Sequence, residues 1–199
     1  MKKIYGLFSM LLLVVISQNA GAENLFGLKI RLGGRYDNVR KCVASKPGTP
    51  GGIAADISAF AEVPAGKGQA LHFDLPLMRP ILFAAAFHML QFEPSVTMKF
   101  YSEPDNRTSW VFGPVLGLSL HYGPDYKAEG PRSANRFFAA GPIIGAYAGL
   151  GRQNKSRPQG FQAGITPYLI PMFGIKDPEK HRGLIVGGSL DGTFFVRPK

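Results

Sequence analysis

Ser119-Leu-His121 sets a hydroxyl and an imidazole two residues apart. On an extended strand that spacing puts both side chains on one face, where a histidine base can activate a serine nucleophile. The sequence places no acid beside them, and two polar residues of one parity recur on strands by chance. Ser119 and His121 therefore stand as catalytic candidates only, and no enzymatic activity is asserted. His72 and Asp74, again two apart, would add metal-ligand types to His121. Their spacing is generic, so no metal site is assigned. Cys42 is the single cysteine, which excludes a disulfide or a multi-cysteine metal site within one chain. The glycines fall at strand parity and not in a strand–loop–helix setting. No phosphate-cradling loop and no cofactor are expected.

Strands have to position these groups. In the stretch Trp110 to Tyr122 the even positions are Trp110, Phe112, Pro114, Leu116, Leu118, Leu120 and Tyr122. The odd ones, Val111, Gly113, Val115, Gly117, Ser119 and His121, are mostly small or polar. One face is thus apolar, with an aromatic at each end. A strand crossing a bilayer needs about 9–11 residues and aromatic girdles at the two interfaces.

The same alternation recurs along the chain. Lys29 and Arg31 oppose Leu28, Ile30 and Leu32 between Leu25 and Tyr36. Ile53 to Val63, Ala70 to Leu77, Leu90 to Tyr101, Phe137 to Leu150, Phe161 to Ile175 and Leu184 to Val196 repeat it. Turn-rich connections separate these runs at 38–52, 64–68, 78–89, 103–108, 123–134, 151–160 and 176–182. Ile81–Met89 is apolar on both parities and fits a strand extension, a bulge or a short helix after Pro80. Pro94, Pro114, Pro142, Pro167 and Pro171 all fall on the apolar parity. A strand proline removes a ladder donor, so bulges are expected there.

The chain opens Met1-Lys2-Lys3, continues into an apolar run and reaches Ala20-Gly-Ala22. A basic start, a short apolar core and a small-residue exit read as a secretory signal peptide over 1–22, leaving 23–199 as a single domain. Lys2 and Lys3 leave with it and no acid does, which takes the net charge from +10 to +8. Many cations lie in or beside the connections, among them Arg35, Arg40, Lys41, Lys46, Lys127, Arg132, Lys176 and Arg182. They suit the phosphates of anionic lipid. No basic-aromatic pattern points to nucleic acid.

Eight long alternating strands after an export signal predict an all-β protein, a closed antiparallel up-and-down barrel. Stretches such as Trp110–Tyr122 and Phe161–Ile175 resemble the small outer-membrane β-barrels of Gram-negative bacteria, the class of the OmpA membrane domain and OmpX. The resemblance implies a monomer in the outer membrane of the cell envelope, with lipid and lipopolysaccharide as partners and a structural or surface-interaction role. Some barrels of this kind act on lipid A with a serine, a histidine and an acid, which makes a lipid A-modifying hydrolase one alternative. In the membrane reading, Trp110, Phe112, Leu116, Leu118, Leu120 and Tyr122 form a lipid-facing belt. His72, Asp74, Glu93, Lys99, His121, Tyr147, Tyr168 and Asp191 form a polar interior that fills a lumen wide enough only for side chains or one small ligand. A soluble periplasmic barrel binding a lipid or other apolar ligand is the other alternative, and it inverts every face: Trp110 and Leu116 line a cavity, while Lys99 and Glu93 meet water.

Overall fold

A computed structural model describes residues 24–38, 50–86, 88–103, 108–124, 136–153, 159–176, 178 and 182–196. The expected signal peptide, Cys42 and the connection cations Arg40, Lys41, Lys46, Lys127 and Arg132 lie outside the described residues.

The strands are β1 Leu25–Asp37, β2 Gly52–Gly66, β3 Gln69–Pro76, β4 Leu90–Phe92, β5 Ser95–Tyr101, β6 Thr108–Pro124, β7 Arg136–Gln153, β8 Gln159–Gly174 and β9 Gly183–Val196. A short helix, α1, covers Met78–Ala84. Every neighbouring pair is antiparallel, and β1 pairs with β9 to close the sheet on itself. Strands β4 and β5 both pair with β6 in one continuous register, Gln91 opposite His121 and Thr97 opposite Val115. They are one stave interrupted at Glu93-Pro94. The barrel therefore has eight staves, and closure leaves no sheet edge. Leu25 and Val196 lie at one end, called here the terminal end; α1 lies at the other.

Parity decides which way each side chain points. Trp110, Phe112, Leu116 and Leu118 face outward and exposed, with Leu120 and Tyr122 half-buried on the same face. Outward residues of the other staves continue the band, including Leu28, Ile30, Ile57, Ile144, Ile165 and Leu190. The opposite parity is enclosed: Lys99 is 2% exposed and Glu93 4%, while Trp110 is 64%. This excludes the soluble arrangement, which needs those faces exchanged. One-sided polarity also holds the register, since a one-residue slip would turn every charge outward.

Two sequence expectations need correction. The helix after Pro80 begins before it, at Met78, so Pro80 sits in the first turn, where its missing N–H is not needed. The outward prolines do not produce bulges. Register is the same on either side of Pro94, Pro114, Pro142, Pro167 and Pro171, and only the Pro64/Gly66 turn shifts it. Pairing instead lapses on two seams. On β5–β6 it fails between Thr97 and Phe100, opposite Pro114. On β7–β8 it fails around Pro142, Pro167 and Pro171. Each proline's missing donor costs bonds on one side while β6–β7 and β8–β9 stay fully paired.

Candidate functional site

The inward residues form three polar groups along the barrel axis. Nearest the terminal end, Glu62 on β2 accepts a hydrogen bond from Lys99 Nζ at 2.8 Å and meets His72 Nδ1 at 3.0 Å. The Tyr101 hydroxyl donates to the other Glu62 oxygen. Lys99 also donates to Gln162 Oε1 at 2.7 Å and lies 5.5 Å from the centre of the Tyr147 ring. Phe60 stacks on His72 at 4.6 Å.

In the middle, Asp74 receives Lys29 Nζ at 2.7 Å and Arg31 Nη2 at 2.9 Å. Asp191 lies opposite Arg31 in the ladder and 3.4 Å from Lys29 Nζ. It accepts the hydroxyls of Thr166 at 2.5 Å and Ser189 at 2.8 Å.

Toward the α1 end, Glu93 gathers four donors. Arg35 Nη1 reaches it at 2.9 Å, Arg79 Nη1 at 2.8 Å, Ser119 Oγ at 3.1 Å and His121 Nε2 at 3.3 Å. Arg79 also donates to Gln91 at 3.0 Å and pairs with Asp56 at 3.3 Å; Arg35 donates to Gln91 as well. Helix α1 thus drops one arginine into the barrel mouth while Phe83 meets Tyr122 edge-on at 6.0 Å.

Of the residues expected inside, seven are at most 4% exposed and Tyr168 is half-buried. They do not converge on one point. His72 belongs to the terminal group, Asp74 and Asp191 to the middle, and Glu93 and His121 to the α1 end. His72, Asp74 and His121 therefore do not form a metal site, and among the described residues no group of three ligand-type side chains could hold a metal ion. Ser119 and His121 meet the same carboxylate and not each other. A nucleophile–base pair needs that direct contact, and neither residue is more than 1% exposed.

The expected interior cluster leaves out Lys29, Arg31, Asp56, Glu62, Gln91, Tyr101 and Gln162, and Arg35 is expected beside the first connection, yet all eight join the lumen network. Parity could have found all of them, because each alternates with an outward apolar neighbour. Arg79 gave no such signal; it enters from a helix whose direction only the tertiary structure sets.

Five cations enter the lumen among the described residues: Lys29, Arg35, Arg79 and Lys99, all buried, and Arg31, half-buried. Six carboxylates face them: Asp37, Asp56, Glu62, Asp74, Glu93 and Asp191. The near balance makes a paired filling, not a single-sign conduit. Phe137, Ile143, Ile170, Met172 and Ile185 fill the β7–β9 side. A void between Arg31, Glu93, Val115 and Tyr168 measures about 10 Å³, room for about one water. The larger recesses are outside, about 670 Å³ beside Pro94 and Leu118 and about 570 Å³ beside Pro167 and Gly188.

No protein-family model matches the chain, and no curated sequence does either. Among solved structures, the chain is similar to the crystal structure of Neisserial surface protein A, with a TM-score of 0.54 and 9% identity. The match covers 89% of this chain and 98% of that one. At that identity the likeness concerns the fold: the eight-stave closed barrel of the class to which the OmpA membrane domain and OmpX belong.

Proposed function

We propose that the chain is an integral outer-membrane β-barrel with a structural or surface-interaction role. One observation carries the reading: the closed sheet is polar inside and apolar outside. Water would penalise the continuous outer band of Leu28, Ile30, Leu116, Ile165 and Leu190, each about half exposed or more. Hydrocarbon would not, and a closed barrel satisfies its own backbone there. Chain export over 1–22 belongs to the same reading, as does the resemblance to a surface-protein barrel.

In this orientation the α1 end faces outward and the termini face the periplasm. The exposed cations Arg136, Lys176 and Arg182 lie at the α1 end, suited to lipopolysaccharide phosphates. Cell fractionation tests the reading. The protein is expected in the outer-membrane pellet after salt and carbonate washing. Release of the mature chain into a detergent-free periplasmic extract would overturn it.

A further inference from the structure

The outer face carries a line of missing side chains. Pro114 lies opposite Ala146 in the β6–β7 ladder, and the β7–β8 register sets Ala146 opposite Pro167. Pro167 pairs with Gly188, and Gly188 with Gly34. These five residues of five successive staves form one row across the barrel. The rows on both sides are large. Leu116, Ile144, Leu169, Val186 and Tyr36 stand two residues away toward the α1 end, all 42–61% exposed. Phe112, Ile165, Leu190 and Leu32 stand two residues away on the other side, all 51–65% exposed, and Ala148 on β7 is the one small member of that row. A row of glycine, alanine and proline between two rows of long apolar side chains is a groove. Its section over Leu32, Ile165, Pro167, Gly188 and Leu190 has a volume of about 570 Å³.

Backbone packing does not require these glycines. A Cβ on Gly34 would come no nearer than 3.8 Å to another atom, and one on Gly188 no nearer than 3.9 Å. At Gly27, Gly33 and Gly113, by contrast, it would collide with a facing carbonyl oxygen. The groove is therefore a feature of the outer surface, not a by-product of strand contact.

Its dimensions select an occupant. Four strand spacings make it about 19 Å long. Strands tilted about 40° carry a line perpendicular to them about 12 Å down the barrel axis. That depth is close to one leaflet of a hydrocarbon core about 30 Å thick. The groove is one side-chain row wide, which admits a hydrocarbon chain but not the ridged face of a second barrel. It begins at Gly34, three residues from the α1 end of β1, and descends to Pro114 near the middle of β6. Ile53, opposite Gly34 on β2 and 62% exposed, closes its upper end, and exposed Arg182 stands above Gly188 at the head of β9.

We propose that this groove seats one acyl chain of a lipopolysaccharide molecule, with Arg182 toward a headgroup phosphate. The proposal rests on the outer-membrane reading and names the lipid that reading brings into contact.

The test uses the full mature chain, folded in detergent micelles, incubated with lipopolysaccharide or with dipalmitoyl phosphatidylglycerol, and examined by native mass spectrometry. The wild type is expected to retain one lipopolysaccharide and little phosphatidylglycerol. Gly188→Leu fills the groove and is expected to cut retention on the order of tenfold, the worth of about two methylenes of contact. Gly192→Leu adds the same side chain to the same strand outside the groove and should retain lipid as the wild type does. Heat-modified gel migration verifies folding, and Gly34→Leu replaces Gly188→Leu if the latter does not fold. Equal retention by the filled and wild-type barrels would overturn the proposal, as would equal retention of the two lipids. A wild-type dimer that Gly188→Leu converts to monomer would also overturn it, in favour of a second copy. Quenching of Trp110 by brominated phospholipid in vesicles reports separately on membrane insertion, so a failed groove and a failed membrane reading give different results.

Discussion

Glu93 is the residue on which the α1-end group depends. Two guanidinium groups, a hydroxyl and an imidazole converge on it, and it is 4% exposed. Removing one member of a buried ion pair strands the others, at a cost of about 3–5 kcal/mol. Glu93→Gln should lower the folded stability by that amount in guanidinium unfolding in micelles. Ser119→Ala removes one neutral donor, and its expected cost is about 1 kcal/mol. Equal losses would take Glu93 out of its central place. Glu93 was legible in the sequence because Phe92 and Pro94 flank it on the opposite parity. Its partner Arg79 was not, since a connection has no strand parity to read.

Helix α1 is held by what it sends inward. Arg79 contacts Glu93, Gln91 and Asp56, while Ile81 on the other side is 63% exposed. A seven-residue helix has little stability of its own. Arg79→Ala is therefore expected to speed amide hydrogen exchange over 78–86 while the exchange of β6 and β7 stays slow; an unchanged rate over 78–86 would show that other contacts fix the helix. Strand contact sets a different limit at Gly113. A Cβ there would overlap the carbonyl oxygen of Met98 across the β5–β6 seam. Gly113→Ala should fail to give the heat-modified band of a folded barrel. Gly192→Ala, whose Cβ would meet the Phe161 ring at an ordinary contact distance of 3.8 Å, should give it at wild-type yield. The seam itself was invisible to periodicity: prolines on one parity announce lost donors, but not which neighbouring stave loses them.

For the whole molecule, the decisive property is the inversion of polarity. Leu116, 61% exposed near the middle of β6, distinguishes the two solvents. In a bilayer Leu116→Arg costs about 2–4 kcal/mol at the midplane, while an exposed position in water changes by about 0.5 kcal/mol or less. Unfolding in phospholipid vesicles should show the larger loss. Some strands are also longer than a bilayer needs. The eighteen residues of β7 reach about 59 Å, or about 45 Å along the axis at a tilt near 40°, against a core about 30 Å thick. In the proposed membrane setting, the barrel wall would therefore extend beyond the hydrocarbon region.

The sequence by itself determined the strands, their parity and the closed all-β architecture, because a period of two over many residues has few other physical outcomes. It also determined which residues share a face, as with Ser119 and His121. Only the tertiary structure decided what those faces meet. Closure through β1 and β9 brought Lys29 and Arg31 to Asp74 and Asp191, more than forty residues away along the chain. Cross-strand register, which sets Glu93 opposite Ser119, placed Ser119 and His121 on Glu93 instead of on each other. It also aligned Gly34, Gly188, Pro167, Ala146 and Pro114 into a single groove, because register across strands is fixed by pairing and not by local pattern.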